Sequence, residues 1–247
     1  MNLILFEQQE INGQSVSLFG RRAKHIRKVL RSKPGDIVRI GIIDGPTGTG
    51  LIKEVDRDQV LIEISAATTP PPKSPTGLIL ALPRPIMLKR VLSQAASMGV
   101  ERIFLINAGR VEKSFFSASI MTEVNLRQRL VLGLEQAMDT VVPEISIHNR
   151  FRPFVEDLLP AMSHDYPVKI IAHPDDGRDI NEVILPNQST GVLVAIGPEG
   201  GWSDFEIDLF RDQDFQAFTL GPRILRVDTA VPAILAQLGL LRSQASG

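Results

Sequence analysis

The chain has 247 residues and no cysteine. Disulfides, thiolate catalysis and zinc–cysteine sites are excluded, and the composition is compatible with the cytosol. The four histidines, His25, His148, His164 and His173, lack ligand spacing, so no metal is expected. Long apolar runs are missing too. The first, 3–6, has no basic lead-in and is too short for a signal h-region or a membrane span. A cytoplasmic protein with no membrane partner is expected. Residues 21–33 contain no acid, yet hold Arg21, Arg22, Lys24, Arg27, Lys28, Arg31 and Lys33. Such a patch matters more for phosphate binding than the overall charge of −1.

What is present divides the chain in two. Residues 66–76, Ala-Ala-Thr-Thr-Pro-Pro-Pro-Lys-Ser-Pro-Thr, form a stiff proline-rich linker, with residues 70–76 as its centre. Before it, 3–6, 16–18, 37–43, 51–55 and 60–64 read as short strands, and 21–31 is the one clear helix. Strands with a single helix imply a small barrel over 1–69. After it, strands at 78–82, 103–106, 168–172, 192–196 and 215–220 alternate with helical patterns at 86–98, 121–138, 154–162, 204–211 and 231–241. That alternation predicts an α/β domain over 77–247, a parallel sheet covered on both faces.

Two loops in this second part carry the strongest signal. Residues 192–196 form a buried strand, and Gly197, Gly200 and Gly201 then permit a sharp turn and close approach to a ligand. Ser203 and Glu206 have capping-box spacing, which starts a helix. The arrangement recurs: 218–220 ends a strand, Gly221-Pro222-Arg223-Ile224-Leu225-Arg226 makes a loop, and Asp228-Thr229 offers a helix cap. Neighbouring strand ends of a parallel sheet are where ligands bind. The first loop is neither Gly-x-Gly-x-x-Gly nor a Walker A loop, which argues against dinucleotides and nucleoside triphosphates.

Individual residues keep alternatives open. Glu199 could cap a helix, orient a ligand or act as a base. Arg226 is a surface arginine or a contact to phosphate or developing anion. Asp228 is an N-cap or a general base. His173 ends a strand before Pro174-Asp175-Asp176-Gly177, facing the crevice or merely turning. Helix 21–31 is a solvated face or a phosphate-binding one. Arg110, Glu112 and Lys113 follow the strand at 103–106 and are candidate substrate contacts.

Ile-Gly-Pro-Glu-Gly-Gly-Trp-Ser-x-x-Glu (196–206) and Leu-Gly-x-Arg-Ile-Leu-Arg-x-x-Thr-Ala (220–230) resemble the two signature loops of the ribosomal RNA small subunit methyltransferase E family, within the SPOUT superfamily. His-Ile-x-x-Val-Leu-Arg (25–31) and Pro34-Gly35-Asp36 resemble its PUA-like RNA-binding barrel. The resemblance implies a SPOUT-type sheet with a trefoil knot, a homodimer, and S-adenosyl-L-methionine-dependent methylation of a uridine N3 in 16S rRNA or the small ribosomal subunit. It assigns the methyl donor to His173, Ile196, Gly197, Pro198, Glu199, Gly200, Gly201, Leu220, Gly221, Ile224, Leu225, Arg226 and Thr229. RNA is assigned to Arg21, Arg22, Lys24, His25, Arg27, Arg31, Arg110 and Lys113. Arg226, Glu199 and Asp228 are the catalytic candidates.

Three positions depart from the family pattern. Asp228 stands for a glutamate, Gln94-Ala95-Ala96-Ser97 for Lys-x-x-Glu, and Met138-Asp139 for the Gly-Arg that follows Glu135-Gln136. These changes motivate two alternatives, a methyltransferase with another RNA target and a non-catalytic ribosome-assembly factor.

Overall fold

Alternating burial builds the N-terminal sheet. The computed structural model describes residues 2–70, 72–174, 178–183 and 185–245. The first strands are β1 (Ile4–Phe6), β2 (Ile11–Asn12), β3 (Ser15–Phe19), β4 (Ile37–Ile42), β5 (Thr47–Val55) and β6 (Gln59–Thr68). In β3 only Val16 and Leu18 are buried, and in β4 buried Val38 and Ile40 alternate with exposed Ile37 and Arg39. With Ile4, Phe6, Ile52, Val60 and Ile62 these make one apolar core. The order is β1-β4-β5-β6-β3-β2, with β1 parallel to β4 and the other neighbours antiparallel. Among the described residues β1 and β2 do not pair, so the expected barrel is a half-barrel. Gly50 allows its tightest crossing: a Cβ there would lie 2.3 Å from Ile62 Cγ2.

The expected helix forms as α1 (Gly20–His25), widens into a π-helical turn over Ile26–Leu30, and ends at Arg31 in the left-handed region, φ 55°. Ala23 and Ile26 face the core.

The second unit holds a six-stranded, wholly parallel sheet in the order β12-β10-β11-β7-β8-β9. From residue 74 onward the elements are β7 (Ser74–Ala81), α2 (Pro85–Ser97), β8 (Val100–Ile106), α3 (Glu123–Ala137), β9 (Glu144–His148), α4 (Phe151–Pro153), α5 (Leu159–Met162), β10 (Val168–Ala172), β11 (Val192–Ile196), α6 (Asp204–Arg211), β12 (Gln216–Phe218) and α7 (Val227–Gln244). The central strands read as unbroken apolar runs because both faces are covered: all five residues of β11 are buried. β9 was not foreseen. It is an edge strand with no fully buried residue, so its apolar signal is weak.

The two compact units are Met1–Pro72 with Leu130–Val142, and Lys73–Arg129 with Pro143–Gly247. Segment 130–142, expected within 77–247, thus groups with the N-terminal unit. The cause is local: Glu135 O accepts from the Asn2 and Leu3 amides at 3.0 Å each, and the Asp44 amide donates to Thr140 O at 2.8 Å. The linker is shorter than expected, since β6 runs to Thr68 and β7 begins at Ser74. Pro75 sits where the β7–β8 register shifts, a position that tolerates a missing N–H. Pro71 of the linker, and Asp175, Asp176 and Gly177 after His173, lie outside the described residues.

Candidate functional site

The carboxyl ends of β12, β10 and β11 lie side by side, and both glycine loops leave from them. In the first, the Gly201 amide donates to Pro198 O at 2.8 Å, and Gly201 takes φ 74° to close the turn. In the second, Gly221 has φ 98°, and Thr219 Oγ1 accepts from its amide at 3.2 Å. Between the loops is a cavity of about 390 Å³, bounded also by the end of β10 and the start of α7.

Most of the expected donor residues meet here: His173, Ile196, Gly197, Pro198, Glu199, Gly200, Gly201, Leu220, Ile224, Leu225 and Arg226 all line the cavity. Gly221 and Thr229 do not. Gly221 supplies only the backbone bend, and Thr229 lies in the first turn of α7, its amide donating to Arg226 O at 2.9 Å. Sequence reading missed Trp202, Phe218, Arg223 and Ile234 on the lining. Trp202 stands inside the motif; Ile234 belongs to the buried stripe of α7 and gives no separate signal.

The glycines of the first loop are needed for reasons other than ligand approach alone. A Cβ on Gly197 would sit 3.1 Å from Trp202 Cε2 and Nε1. A Cβ on Gly200 would meet Arg110 Cδ at 3.1 Å. Arg110, expected to contact RNA, latches the loop: its Nη1 donates to Gly200 O and, at 3.3 Å, to Trp202 O. A second brace went unrecognised. The buried Glu206 carboxylate accepts from the Gly109 amide at 2.7 Å, the Ser203 amide at 2.8 Å and Ser203 Oγ at 2.9 Å. It thereby ties the capping box of α6 to the end of β8. Residues 109–110 and 206 hold one loop from two sides.

Of the catalytic candidates, Glu199 lies on the cavity lining and at a helix start. Its Oε1 accepts from the Arg84 amide at 3.3 Å, at the N-cap of α2, where the helix dipole favours an anion. Asp228 is corrected as a cap. The N-cap of α7 is Arg226, and Asp228 follows in the first turn. Its Oδ2 lies 3.3 Å from Arg90 Nη1, and it does not line the cavity. Arg223 and Arg226 are exposed on the lining with no side-chain partner among the described residues.

Acid partners also sort the basic helix. Arg21 donates bidentately to Glu135 at 2.8 and 3.0 Å, and that carboxylate is 1% exposed. Arg22 does the same to Glu10 at 2.9 and 2.6 Å and reaches Leu5 O at 3.1 Å. The Arg22 hydrogen bond holds the Glu10 carboxyl below its usual range. In the free protein both guanidiniums are thus engaged by carboxylates, and His25 is half-buried. Lys24, Arg27, Lys28 and Arg31 carry no partner among the described residues, and neither does Lys113.

Comparison with known proteins agrees with this geometry. A family described as an RNA methyltransferase domain matches residues 70–239, and an RNA methyltransferase PUA domain matches 20–65. The architecture is that of an RNA methyltransferase with an appended PUA domain. The Ribosomal RNA small subunit methyltransferase E of Treponema pallidum is 30% identical over 240 residues, 96% of this chain and 90% of that protein. The Bacillus subtilis protein of the same name is 24% identical, with 96% of each covered. The chain belongs to the ribosomal RNA small subunit methyltransferase E family. Among solved structures, the Neisseria gonorrhoeae member bound to S-adenosyl methionine has a TM-score of 0.78 at 22% identity, with 98% of each chain covered. A putative methyltransferase of Legionella pneumophila with bound cofactor gives 0.77 at 24%, covering 97% of each chain. These two likenesses concern the fold.

Proposed function

We propose that the protein methylates N3 of a uridine in 16S rRNA, with S-adenosyl-L-methionine as donor. The observation that carries this is the cavity at three parallel strand ends, formed by the two family loops. Its lining fits the donor. Ile196, Phe218, Leu220 and Ile234 offer an apolar slot for a flat ring, and the loop backbones offer amides and carbonyls for polar edges. When bound, the donor supplies an electrophilic methyl group. The chain's own work lies in holding uracil against it. N3–H must lose its proton, which passes to solvent water. The negative charge left on the uracil carbonyl oxygens needs a cation, and Arg226 is placed on the lining to supply one.

Free Lys24, Arg27 and Arg31 support RNA binding by the N-terminal unit, with residues 1–69 as the RNA-binding part and 77–247 as the catalytic part. The family likeness also supports a trefoil knot and a homodimer. No helix among the described residues is long and apolar enough to cross a membrane, and a cytoplasmic location follows from an rRNA substrate. The departures at Gln94, Ser97, Asp228, Met138 and Asp139 do not line the cavity, which favours retained chemistry over a binding-only factor.

The test is calorimetry with S-adenosyl-L-methionine, then methyl transfer to 30S subunits or 16S rRNA with mass spectrometry of the nucleosides. N3-methyluridine is expected. Donor binding without any methylated nucleoside overturns the reading.

A further inference from the structure

The most exposed large apolar side chain recorded in the molecule is Ile224, at 87%. It stands on the second glycine loop, on the lining of the donor cavity, beside Leu225 at 36%. Arg223 and Arg226 flank the pair, exposed and without partners among the described residues. The one carboxylate on the lining among the described residues, Glu199, is engaged with the Arg84 amide. An apolar tip between two free guanidiniums is poorly suited to water. It is complementary to a surface carrying both flat apolar faces and closely spaced negative charge, which describes a polynucleotide strand.

The chemistry proposed above adds a requirement. N3 lies on the Watson–Crick edge of uracil, so a uridine paired within a helix cannot present it to the cavity. The nucleotide must leave the stack, at a cost of a few kcal/mol. Apolar side chains that enter a base step, with cationic groups on the adjoining phosphates, offset such a cost.

We infer that residues 223–226 form the acceptor clamp: Arg223 grips a phosphate beside the target uridine, Arg226 meets the uracil carbonyl oxygens as above, and Ile224 is the wedge that holds the uridine out of its stack. The inference rests on the RNA-methylation reading and deepens it. Arg223 and Ile224 act here as positioning residues, through the strand rather than on the reacting atoms.

The loop geometry makes the clamp testable apart from the fold. Ile224 is exposed, so Ile224→Ala leaves no cavity in a core. With wild-type protein and Ile224→Ala, methyl transfer is measured on a hairpin carrying uridine in its stem and on an unstructured oligouridylate. The ratio of the two kcat/KM values is expected to fall about tenfold to a hundredfold in the variant, at 1.36 kcal/mol per tenfold. Arg223→Gln is expected to weaken oligouridylate binding severalfold and to flatten its salt dependence by about one phosphate contact.

An unchanged ratio in Ile224→Ala overturns the wedge. Unchanged oligouridylate affinity in Arg223→Gln overturns the clamp, whether or not the wild type proves to methylate RNA. Absence of methylation by wild-type protein that still binds the oligonucleotide refutes the function reading alone. If sedimentation shows that Ile224→Ala dissociates a dimer while RNA affinity persists, the tip is a contact between copies and the clamp is refuted.

Discussion

Gly197→Ala is the smallest change that should disturb the donor loop. The new methyl would lie 3.1 Å from Cε2 and Nε1 of Trp202 and 3.2 Å from its Cδ1. Three atoms of one rigid ring are approached together, so no single rotation relieves the contact. Nor can the indole retreat easily. It is 5% exposed and packs edge-on against Phe210, centroids 5.2 Å apart, with Phe151 at 6.3 Å. Overpacking of this kind costs about 1–3 kcal/mol. Arg110 and Glu206 fix the far side of the loop, so part of the strain should appear as displacement of residues 197–200 into the cavity. A displacement costing about 1.4 kcal/mol of donor binding weakens affinity tenfold. Calorimetry with S-adenosyl-L-methionine reads the affinity, and thermal unfolding without ligand reads the strain. Trp202→Leu in the same chain should restore part of both, because the steric partner is gone and the two substitutions couple. Wild-type affinity and melting in Gly197→Ala, or no rescue by Trp202→Leu, would refute this account of the glycine.

Other outcomes follow from the braces and ion pairs. Glu206→Gln retains shape but puts an amide where three donors converge, and should lower donor affinity severalfold; unchanged calorimetry would refute the brace. Arg21→Glu should destabilise the N-terminal unit by about 2 kcal/mol, less than a fully buried pair because Arg21 is 44% exposed. Reversing Lys24, Arg27 and Arg31 to glutamate should instead spare stability and flatten the salt dependence of RNA binding, with donor affinity intact. The Glu10 carboxyl is lowered by Arg22, so its contribution to stability is complete above the ordinary glutamate range and lost as pH falls through the folded value. Arg22→Gln should therefore reduce the acid sensitivity of unfolding, and an identical pH profile in the variant would refute the linkage.

The site was legible because its information is local. Gly197 to Glu206 and Gly221 to Arg226 encode turn, cap and strand end within short windows, and most of the expected residues do line one cavity. What failed was set by partners distant in the chain. Nothing near Arg21 announces Glu135, nor near Asp228 announces Arg90. Arg110 looked like a ligand for RNA because its acceptors are backbone carbonyls of 200 and 202, which no residue type signals. The sheet was legible where both faces are buried and obscure at β9, whose edge position leaves a mixed pattern. The half-barrel strands were readable by alternation, whereas the return of 130–142 to that unit depends on backbone bonds to Asn2, Leu3 and Asp44.

The contrast between arginines carries a wider argument about charge. Counting bases in 21–33 treats seven cations as equivalent, yet a guanidinium held bidentately by a carboxylate has little left for phosphate. Arg21 and Arg22 are spent in this way on Glu135 and Glu10. Arg110 is spent on carbonyls, keeping its charge but losing its freedom. Arg223 and Arg226 retain both, and they stand where the donor cavity opens. A counterion-release experiment distinguishes these classes, since only an unpaired cation releases an ion from RNA when it binds. The salt slope should therefore drop by about one unit for each of Arg27→Gln, Arg31→Gln and Arg223→Gln, and by almost nothing for Arg22→Gln. Equal slopes for all four variants would mean that the ion pairs exchange for phosphate on binding, and that partner geometry in the free protein does not decide which cations meet RNA.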